Sequence, residues 1–135
     1  MISYGIIPVI ECTDGFKILL VQHAQGHWSF PKGRPEPEET PFETATRELF
    51  EETGLGIDRL IQDQPLTEHY RFYHKGKLID KTVSYFLALV RGKVDIQEEE
   101  LRDYCFATLE EAKQKVTFDQ ARSILDQLNL PKQGT

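Results

Sequence analysis

Three glutamates near the middle of the chain have a spacing that suits the binding of a divalent cation. Glu48, Glu51 and Glu52 stand at positions i, i+3 and i+4, and a helix would bring their side chains within roughly 100° of one another on one flank. Like charges at this spacing destabilise an isolated helix by about a few tenths of a kcal/mol per pair, a cost that a bound cation offsets. Because carboxylate oxygens are good ligands for Mg²⁺ and Mn²⁺, the pattern predicts a metal site that serves a phosphate substrate. The alternative is a solvated acidic helix face supported by Arg47.

The segment that carries these glutamates has the signals of a helix over residues 41–53. Thr40 can cap its N-terminus, Pro41 suits its first position, and Glu43 completes a capping box. Gly54 is suited to the left-handed conformation that ends many helices. Three apolar side chains of the helix share a side that is expected to face the core: Phe42, Ala45 and Leu49.

Apolar runs on both sides of this helix predict a β-sheet. Asp14-Gly15 indicates a hairpin turn between the first two runs, and Pro8 suggests that the first strand is an edge strand or carries a bulge. Residues 26–33, rich in aromatic residues, Gly and Pro, are interpreted as a short strand that runs into a functional loop. The longer predicted strands are residues 6–10, 16–22, 69–74, 82–90 and 104–107.

Two capping boxes, Thr108 with Glu111 and Thr117 with Gln120, indicate helices near the C-terminus. The second box opens an amphipathic helix whose inward side would carry Phe118. The order of strands, helix, strands and helix predicts an α+β fold, an α/β/α sandwich with a mixed β-sheet between helices. Residues 1–135 are expected to form a single domain with a frayed tail at 131–135.

The composition is that of a soluble globular protein, with 39% hydrophobic and 28% charged residues. The net charge of −6 argues against a general binder of nucleic acids or anionic membranes, which would need a basic face. Cys12 and Cys105 form no disulfide framework, and no secretory signal or membrane-length apolar run is visible. These features predict a cytoplasmic protein without a membrane partner.

Further fixed spacings extend the glutamate pattern in both directions. Gly33 is followed by five residues and Glu39, and then by seven residues and the run Arg-Glu-Leu-Phe-Glu-Glu-Thr-Gly-Leu over 47–55. The segment resembles the Nudix box, G-x5-E-x7-R-E-U-x-E-E-x-G-U with U apolar, and all nine fixed or restricted positions are filled. The box covers 23 of the 135 residues. The flanking strands and the C-terminal helix also fit the fold of that family.

The resemblance implies a Nudix hydrolase, in which water attacks a phosphorus atom of a nucleoside diphosphate linked to another group. By this analogy Glu48, Glu51 and Glu52 hold Mg²⁺ or Mn²⁺, and the carbonyl of Gly33 is a further ligand. Arg47 would hold Glu39 and other glutamates in place. Bound metal would neutralise phosphate charge and lower the pKa of water, whose proton a glutamate could then take.

A narrower resemblance lies outside the box. The segments 27–33, 81–86 and 100–112 are similar to those of the asymmetrical bis(5′-nucleosyl)-tetraphosphatases, which split diadenosine tetraphosphate into ATP and AMP. Diphosphoinositol-polyphosphate hydrolases and RNA 5′-pyrophosphohydrolases share the box and part of the first segment.

The subgroup resemblance also implies a set of substrate contacts. Glu100 corresponds to a downstream glutamate that is a metal ligand or a base, with Glu98 and Glu99 as nearby rivals and a solvated loop as the alternative. Three groups are expected to contact phosphate, unless they are surface charge: His27, Lys32 and Lys81. Two aromatic side chains could stack on a base, unless they only pack across strands: Tyr73 and Tyr104.

The function expected from the sequence is metal-dependent hydrolysis of a small-molecule dinucleoside polyphosphate by a cytoplasmic monomer with no stable nucleic-acid partner. The first alternative is a Nudix enzyme for a damaged nucleotide, an RNA 5′ end or a diphosphoinositol phosphate. The last two substrates would demand a denser basic surface than this acidic chain offers. The second alternative is a non-catalytic Nudix-fold binding module, which would usually lack one of the box glutamates that this chain retains.

Overall fold

The structure is a computed structural model that describes residues 1–130. The expected frayed tail at 131–135 lies outside the described residues. Eight strands and three helices are formed within residues 1–130: β1 (Ile2–Cys12), β2 (Gly15–His23), β3 (Trp28–Ser29), β4 (Lys32–Gly33), α1 (Pro41–Thr53), β5 (Gly56–Leu60), β6 (Leu66–His74), β7 (Lys77–Arg91), β8 (Leu101–Ala107), α2 (Leu109–Lys115) and α3 (Asp119–Asp126). None of these helices combines the length and the apolar character that crossing a membrane requires.

The strands form one mixed sheet. Its main path runs β3-β2-β1-β7-β5, while β4 pairs with β1, β6 with β7, and β8 with β2. The central pair of β1 and β7 is parallel, from Ile2 opposite Thr82 to Val9 opposite Leu89, and the other pairs are antiparallel. The predicted α+β fold with a mixed sheet is confirmed.

Both faces of the sheet are covered, which explains why β1 and β2 read as continuous apolar runs rather than alternating ones. Adjacent residues point to opposite faces. Ile6 and Leu19 join the apolar cluster under α1, whereas Ile7 and Leu20 join the cluster that includes residues of α2 and α3. The sheet therefore lies between α1 on one side and the C-terminal helices on the other.

Pro8 lies in a central strand, not in an edge strand as its sequence suggests. The N–H of Ile6 donates to the carbonyl of Pro31 at 3.1 Å, and the ladder between β1 and β2 starts only at Val9, opposite Ile18. Alternation along the strand turns the nitrogen of Pro8 to the same side as that of Ile6. Pro8 has no N–H to donate, but its nitrogen lies where β1 changes from pairing with β4 to pairing with β2. No hydrogen bond of the sheet is therefore lost at Pro8.

The helix that carries the glutamates begins and ends as predicted, at Pro41 and Thr53. The hydroxyl of Thr40 accepts a bond from the N–H of Glu43 at 3.2 Å, and the Glu43 carboxylate accepts one from the N–H of Thr40 at 2.9 Å. Gly54 has φ 78° and donates to the carbonyl of Phe50 at 2.8 Å. These caps fix the position of α1 along the chain.

The capping box predicted at Thr117 is wrong. Helix α3 begins at Asp119 with Phe118 as its N-cap residue, and no side chain caps it. The hydroxyl of Thr117 instead accepts a bond from the N–H of Trp28 at 2.8 Å. This contact joins the start of β3 to the segment that precedes α3.

Candidate active site

Three carboxylates from two parts of the chain come together at one end of α1. Oxygen atoms of Glu48, Glu52 and Glu100 lie within 4.8 Å of one another. Backbone bonds tie the loop before β8 to the end of α1, since the N–H groups of Asp95 and Gln97 donate to the carbonyls of Thr53 and Glu52 at 2.8 and 2.9 Å. This attachment brings Glu100 to the helix.

Glu52 is the most buried member of this carboxylate cluster. Its exposed fraction is only 2%, and its Oε2 atom is buried without a hydrogen-bond partner among the described residues. Burial, and then the neighbouring charge of Glu48, raises the pKa of Glu52 well above its usual range, and burial also raises the pKa of Glu48. A buried oxygen without a donor beside other carboxylates is the arrangement that a divalent cation would satisfy. The donor set therefore fits Mg²⁺ or Mn²⁺.

Gly33 is in direct contact with the carboxylate cluster. It pairs with Tyr4 through β4 and β1, and a Cβ atom at this position would overlap the carboxylate of Glu48. Only glycine permits so close an approach of backbone to carboxylate. The backbone of β4 thus forms one wall of the candidate metal site.

Arg47 connects most of the remaining box residues. Its Nε and Nη2 atoms donate to the two oxygens of Glu39 at 2.7 and 3.0 Å, and this pairing is the main cause that lowers the pKa of Glu39 to about 2. The Nη1 atom donates to Glu48 at 2.9 Å and to Glu51 at 3.1 Å. Nη2 also donates to the carbonyl of Arg34 at 3.0 Å. The guanidinium group therefore orients Glu48 while joining α1 to the loop that follows β4.

Glu51 differs from the other two helix glutamates. Its side chain is 51% exposed and is bonded to Arg47, and it does not belong to the group whose oxygens lie within 4.8 Å. Of the three acidic residues before β8, Glu100 reaches the cluster, whereas Glu98 and Glu99 are exposed residues outside it. The structure thus brings together Glu48, Glu52 and Glu100, with Glu51 at the side.

A cavity of about 630 Å³ shares strand β4 with the carboxylate cluster. Lys32 lines this cavity, whereas Gly33, the next residue of β4, lies against Glu48. The charge of Lys32 also reaches Glu52 and lowers its pKa slightly against the larger raising effects. The two sites are therefore adjacent.

The cavity has an excess of basic groups. Burial, and then the charge of Lys32, lowers the pKa of Lys81 to about 8. Burial and Lys32 also lower the pKa of His27, and burial, followed by His27, lowers the pKa of His23 to about 4. The charges of Lys32 and Lys81 disfavour each other, so these lysines lack sufficient negative partners. The cavity is suited to an anion.

Aromatic rings line the same cavity. His23 stacks on His27 with ring centroids 4.5 Å apart, and His27 lies 5.4 Å from Phe118, which is 52% exposed. Tyr70 and Phe72 line another part, with centroids 6.0 Å apart. These rings provide faces on which a flat group can stack.

The two tyrosines expected to stack on a base are not among the lining residues of this cavity. Tyr73 is 75% exposed near the β6–β7 turn, and Tyr104 is 38% exposed on β8 beside Phe106. Sequence reasoning missed the contribution of Phe118, because a helix that included it would have turned it inward. It also missed Phe72, because the sequence alone does not show which face of β6 lines the cavity.

The mixed sheet between helices and the acidic cluster beside a cationic cavity are suited to an enzyme that acts on a phosphorylated ligand. The family model of the NUDIX domain matches residues 2–128. The chain therefore belongs to the Nudix family and is a Nudix hydrolase.

Known proteins of this family are similar to the chain over most of its length. An asymmetrical bis(5′-nucleosyl)-tetraphosphatase of Rattus norvegicus is 34% identical over 126 residues, which cover 90% of this chain and 84% of the relative. The crystal structure of a Caenorhabditis elegans Ap4A hydrolase binary complex superposes with a TM-score of 0.75 at 25% identity and covers 93% of this chain and 92% of that chain. A MutT Nudix hydrolase of Burkholderia pseudomallei shares the fold, with a TM-score of 0.72 at 19% identity over 95% of this chain and 97% of that chain.

Proposed function

We propose that this Nudix hydrolase uses Mg²⁺ or Mn²⁺ to split a dinucleoside polyphosphate, and that its substrate is diadenosine tetraphosphate, which yields ATP and AMP. One observation carries the proposal: Lys32 lines the cationic cavity while its neighbour Gly33 lies against the carboxylate of Glu48. A phosphate chain held by the cavity lysines would therefore extend to the carboxylates. The name of the rat relative supports this substrate.

Glu48, Glu52 and Glu100 are proposed to hold the cation, with Glu51 and the carbonyl of Gly33 as further ligands. When bound, a divalent cation neutralises charge on the phosphate chain and lowers the pKa of a coordinated water. Attack by water forms one P–O bond and breaks one phosphoric anhydride bond, so that AMP and ATP separate. Glu100, which is exposed, serves as a ligand or accepts the proton of the attacking water.

Arg47 is proposed to act through the glutamates. Its two bonds to Glu39 anchor the guanidinium group, and its other bonds hold Glu48 and Glu51 at the edge of the site. Groups that orient ligands in this way are usually nearly as important as the ligands themselves. Gly54 supports the same arrangement because it ends α1 directly after Glu52 and Thr53.

The cavity is proposed to bind the phosphate chain and one nucleoside. Lys32 and Lys81 contact phosphate oxygens through their charges, which disfavour each other, and His27, whose pKa is lowered by burial, donates a hydrogen bond from its ring. Phe118 and Phe72 offer ring faces to a base. Tyr73 and Tyr104 lie outside this lining, so they would stack on the base of the second nucleoside only where it extends beyond the cavity.

We also propose that residues 1–135 form one hydrolase domain that acts as a cytoplasmic monomer on a small molecule. The net charge of −6 disfavours a stable nucleic-acid or membrane partner.

Product analysis with a substrate panel tests the proposal. Diadenosine tetraphosphate should give equal amounts of ATP and AMP in Mg²⁺, and EDTA should stop the reaction. Formation of two ADP would contradict asymmetric cleavage. Preference for ADP-ribose, a damaged nucleoside triphosphate, an RNA 5′ end or a diphosphoinositol phosphate would replace the proposed substrate, whereas wild-type turnover by both Glu51→Gln and Glu52→Gln would refute the metal site.

A further inference from the structure

Glu68 is the single acidic residue among those that line the cationic cavity in the described part of the chain. It lies on β6 and is half-buried. Its Oε1 atom accepts a long bond of 3.4 Å from the hydroxyl of the fully buried Tyr85. Within the described residues, its Oε2 atom is buried without a hydrogen-bond partner. The fold therefore keeps a carboxyl here with little to satisfy it, which is costly for a merely structural side chain.

The lysines of the cavity act on Glu68 only from a distance. Lys32 and Lys81 lower its pKa, but burial outweighs them and raises it overall. Within residues 1–130, no lysine or arginine nitrogen lies within 4.0 Å of its carboxylate. Glu68 thus subtracts from the positive potential of the cavity without neutralising either lysine by a direct ion pair.

We propose that Glu68 is a specificity-determining residue that limits the affinity of the cavity for polyphosphate, because its negative charge opposes the anion that Lys32 and Lys81 attract. The inference rests on the proposed polyphosphate substrate. The repulsion by Glu68 grows with the charge of the ligand, so the binding of a tripolyphosphate group is weakened more than the binding of a monophosphate. Such a residue favours the release of a highly charged product such as ATP.

Binding of the anion and ionisation of Glu68 compete with each other. A bound polyphosphate favours the protonated carboxyl, so that binding is accompanied by proton uptake as long as Glu68 is ionised in the free protein. The affinity of the wild type consequently falls as the pH rises through the pKa of Glu68. The other charged or titratable groups around this part of the cavity are common to the wild type and its variants: His23, His27, Lys32, Tyr70, Arg71, Lys81 and Tyr85.

Calorimetric titration with inorganic tripolyphosphate in EDTA isolates this effect from the metal site. Glu68→Gln keeps the shape of the side chain and removes its charge, whereas Glu68→Asp keeps the charge. Asp58→Asn makes the same change in net charge at an exposed position on β5. We expect Glu68→Gln to bind tripolyphosphate about three- to tenfold more tightly than the wild type near neutral pH, as expected for a partly screened charge. Its gain in affinity for AMP should be smaller. Both control variants, Glu68→Asp and Asp58→Asn, should bind tripolyphosphate with an affinity near that of the wild type.

The pH dependence gives a second readout. The wild type and Glu68→Gln should converge as the pH is lowered through the pKa of Glu68, which burial raises above its ordinary value. Equal affinities near neutral pH, or weaker binding by Glu68→Gln, would overturn the proposal. If neither protein bound tripolyphosphate, the proposed polyphosphate function would fail together with this inference. Equal binding by both proteins would overturn the inference alone, so the two failures are distinguishable. Unfolding curves establish that the variants are folded.

Discussion

The carboxyl group of Glu52 lies against that of Glu48, one turn earlier in α1, and burial leaves the Oε2 atom of Glu52 without a partner in the described structure. The pKa of Glu52 is raised, first by burial and then by Glu48. A raised carboxyl pKa means that the ionised group destabilises the fold above the pKa of the unfolded chain. Without metal, this pair therefore stores unfavourable electrostatic energy.

Glu52→Gln should stabilise the metal-free protein while it removes activity. We expect the midpoint of thermal unfolding in EDTA near neutral pH to rise by about 2–6 °C, because the amide is neutral without the proton that the Glu52 carboxyl must take up on folding. Turnover in Mg²⁺ should fall by more than the roughly 10–100-fold that is typical of groups around metal ligands. Calorimetry and a product assay measure the two effects.

Glu51→Gln is the comparison variant, because Glu51 is half-exposed and paired with Arg47. It should leave the unfolding midpoint in EDTA nearly unchanged. A Glu52→Gln protein that is less stable in EDTA than the wild type would contradict the electrostatic account of this pair.

Gly33→Ala should weaken metal binding without unfolding the protein. The added Cβ would overlap the Glu48 carboxylate, which is the far end of a side chain and would have to shift away from the site. We expect the Mg²⁺ concentration for half-maximal activity to rise by about 10–100-fold, with little change in stability. Gly56→Ala is the matched control, since its Cβ would meet only Arg91 at 3.7 Å. An unchanged Mg²⁺ dependence in Gly33→Ala would show that β4 does not shape the metal site.

The parts of the site that depend on local signals could be predicted from the sequence. Thr40, Pro41, Glu43 and Gly54 are adjacent to the helix ends that they determine, and the observed bounds of α1 match the predicted ones. The apolar runs also predicted the strands, although β7 extends further, over Lys77–Arg91.

The remaining features depend on contacts between distant parts of the chain. Three consecutive glutamates, 98–100, have equivalent sequence surroundings, and only the backbone bonds between the β7–β8 loop and α1 select Glu100. In the same way, the hydroxyl of Thr117 could cap a helix but bonds to Trp28 instead. Strand β5 is absent from the strands predicted by the apolar runs, and its pairing with β7 defines it.

The pair of Arg47 and Glu39 should make stability depend on pH in the acid range. Arg47 is the main cause that lowers the pKa of Glu39 from 4.5 to about 2. A lowered pKa contributes stability that is complete above about pH 4.5 and is lost as the pH falls towards about 2. The difference in unfolding free energy between the wild type and Glu39→Gln should therefore be constant near neutral pH and shrink within that window.

Urea unfolding at a series of pH values measures this difference. Asp58→Asn, an exposed change on β5, controls for net charge. If the difference between the wild type and Glu39→Gln were the same at pH values near 5 and near 2, the ion pair would not be the cause of the stability that Glu39 provides.

Phe118→Ala should raise the KM for a dinucleoside polyphosphate and leave the fold intact. Phe118 is 52% exposed at the N-cap of α3 and lies 5.4 Å from His27 in the cavity. Loss of a stacking face costs about 1–3 kcal/mol per base, so we expect KM to rise about fivefold or more while kcat changes less. Tyr73→Ala removes a ring of similar size that is 75% exposed and outside the cavity, and its KM should remain near the wild-type value. Steady-state kinetics with both variants decides between these surfaces. A larger increase in KM for Tyr73→Ala than for Phe118→Ala would mean that the base binds at the β6–β7 hairpin and not in the cavity.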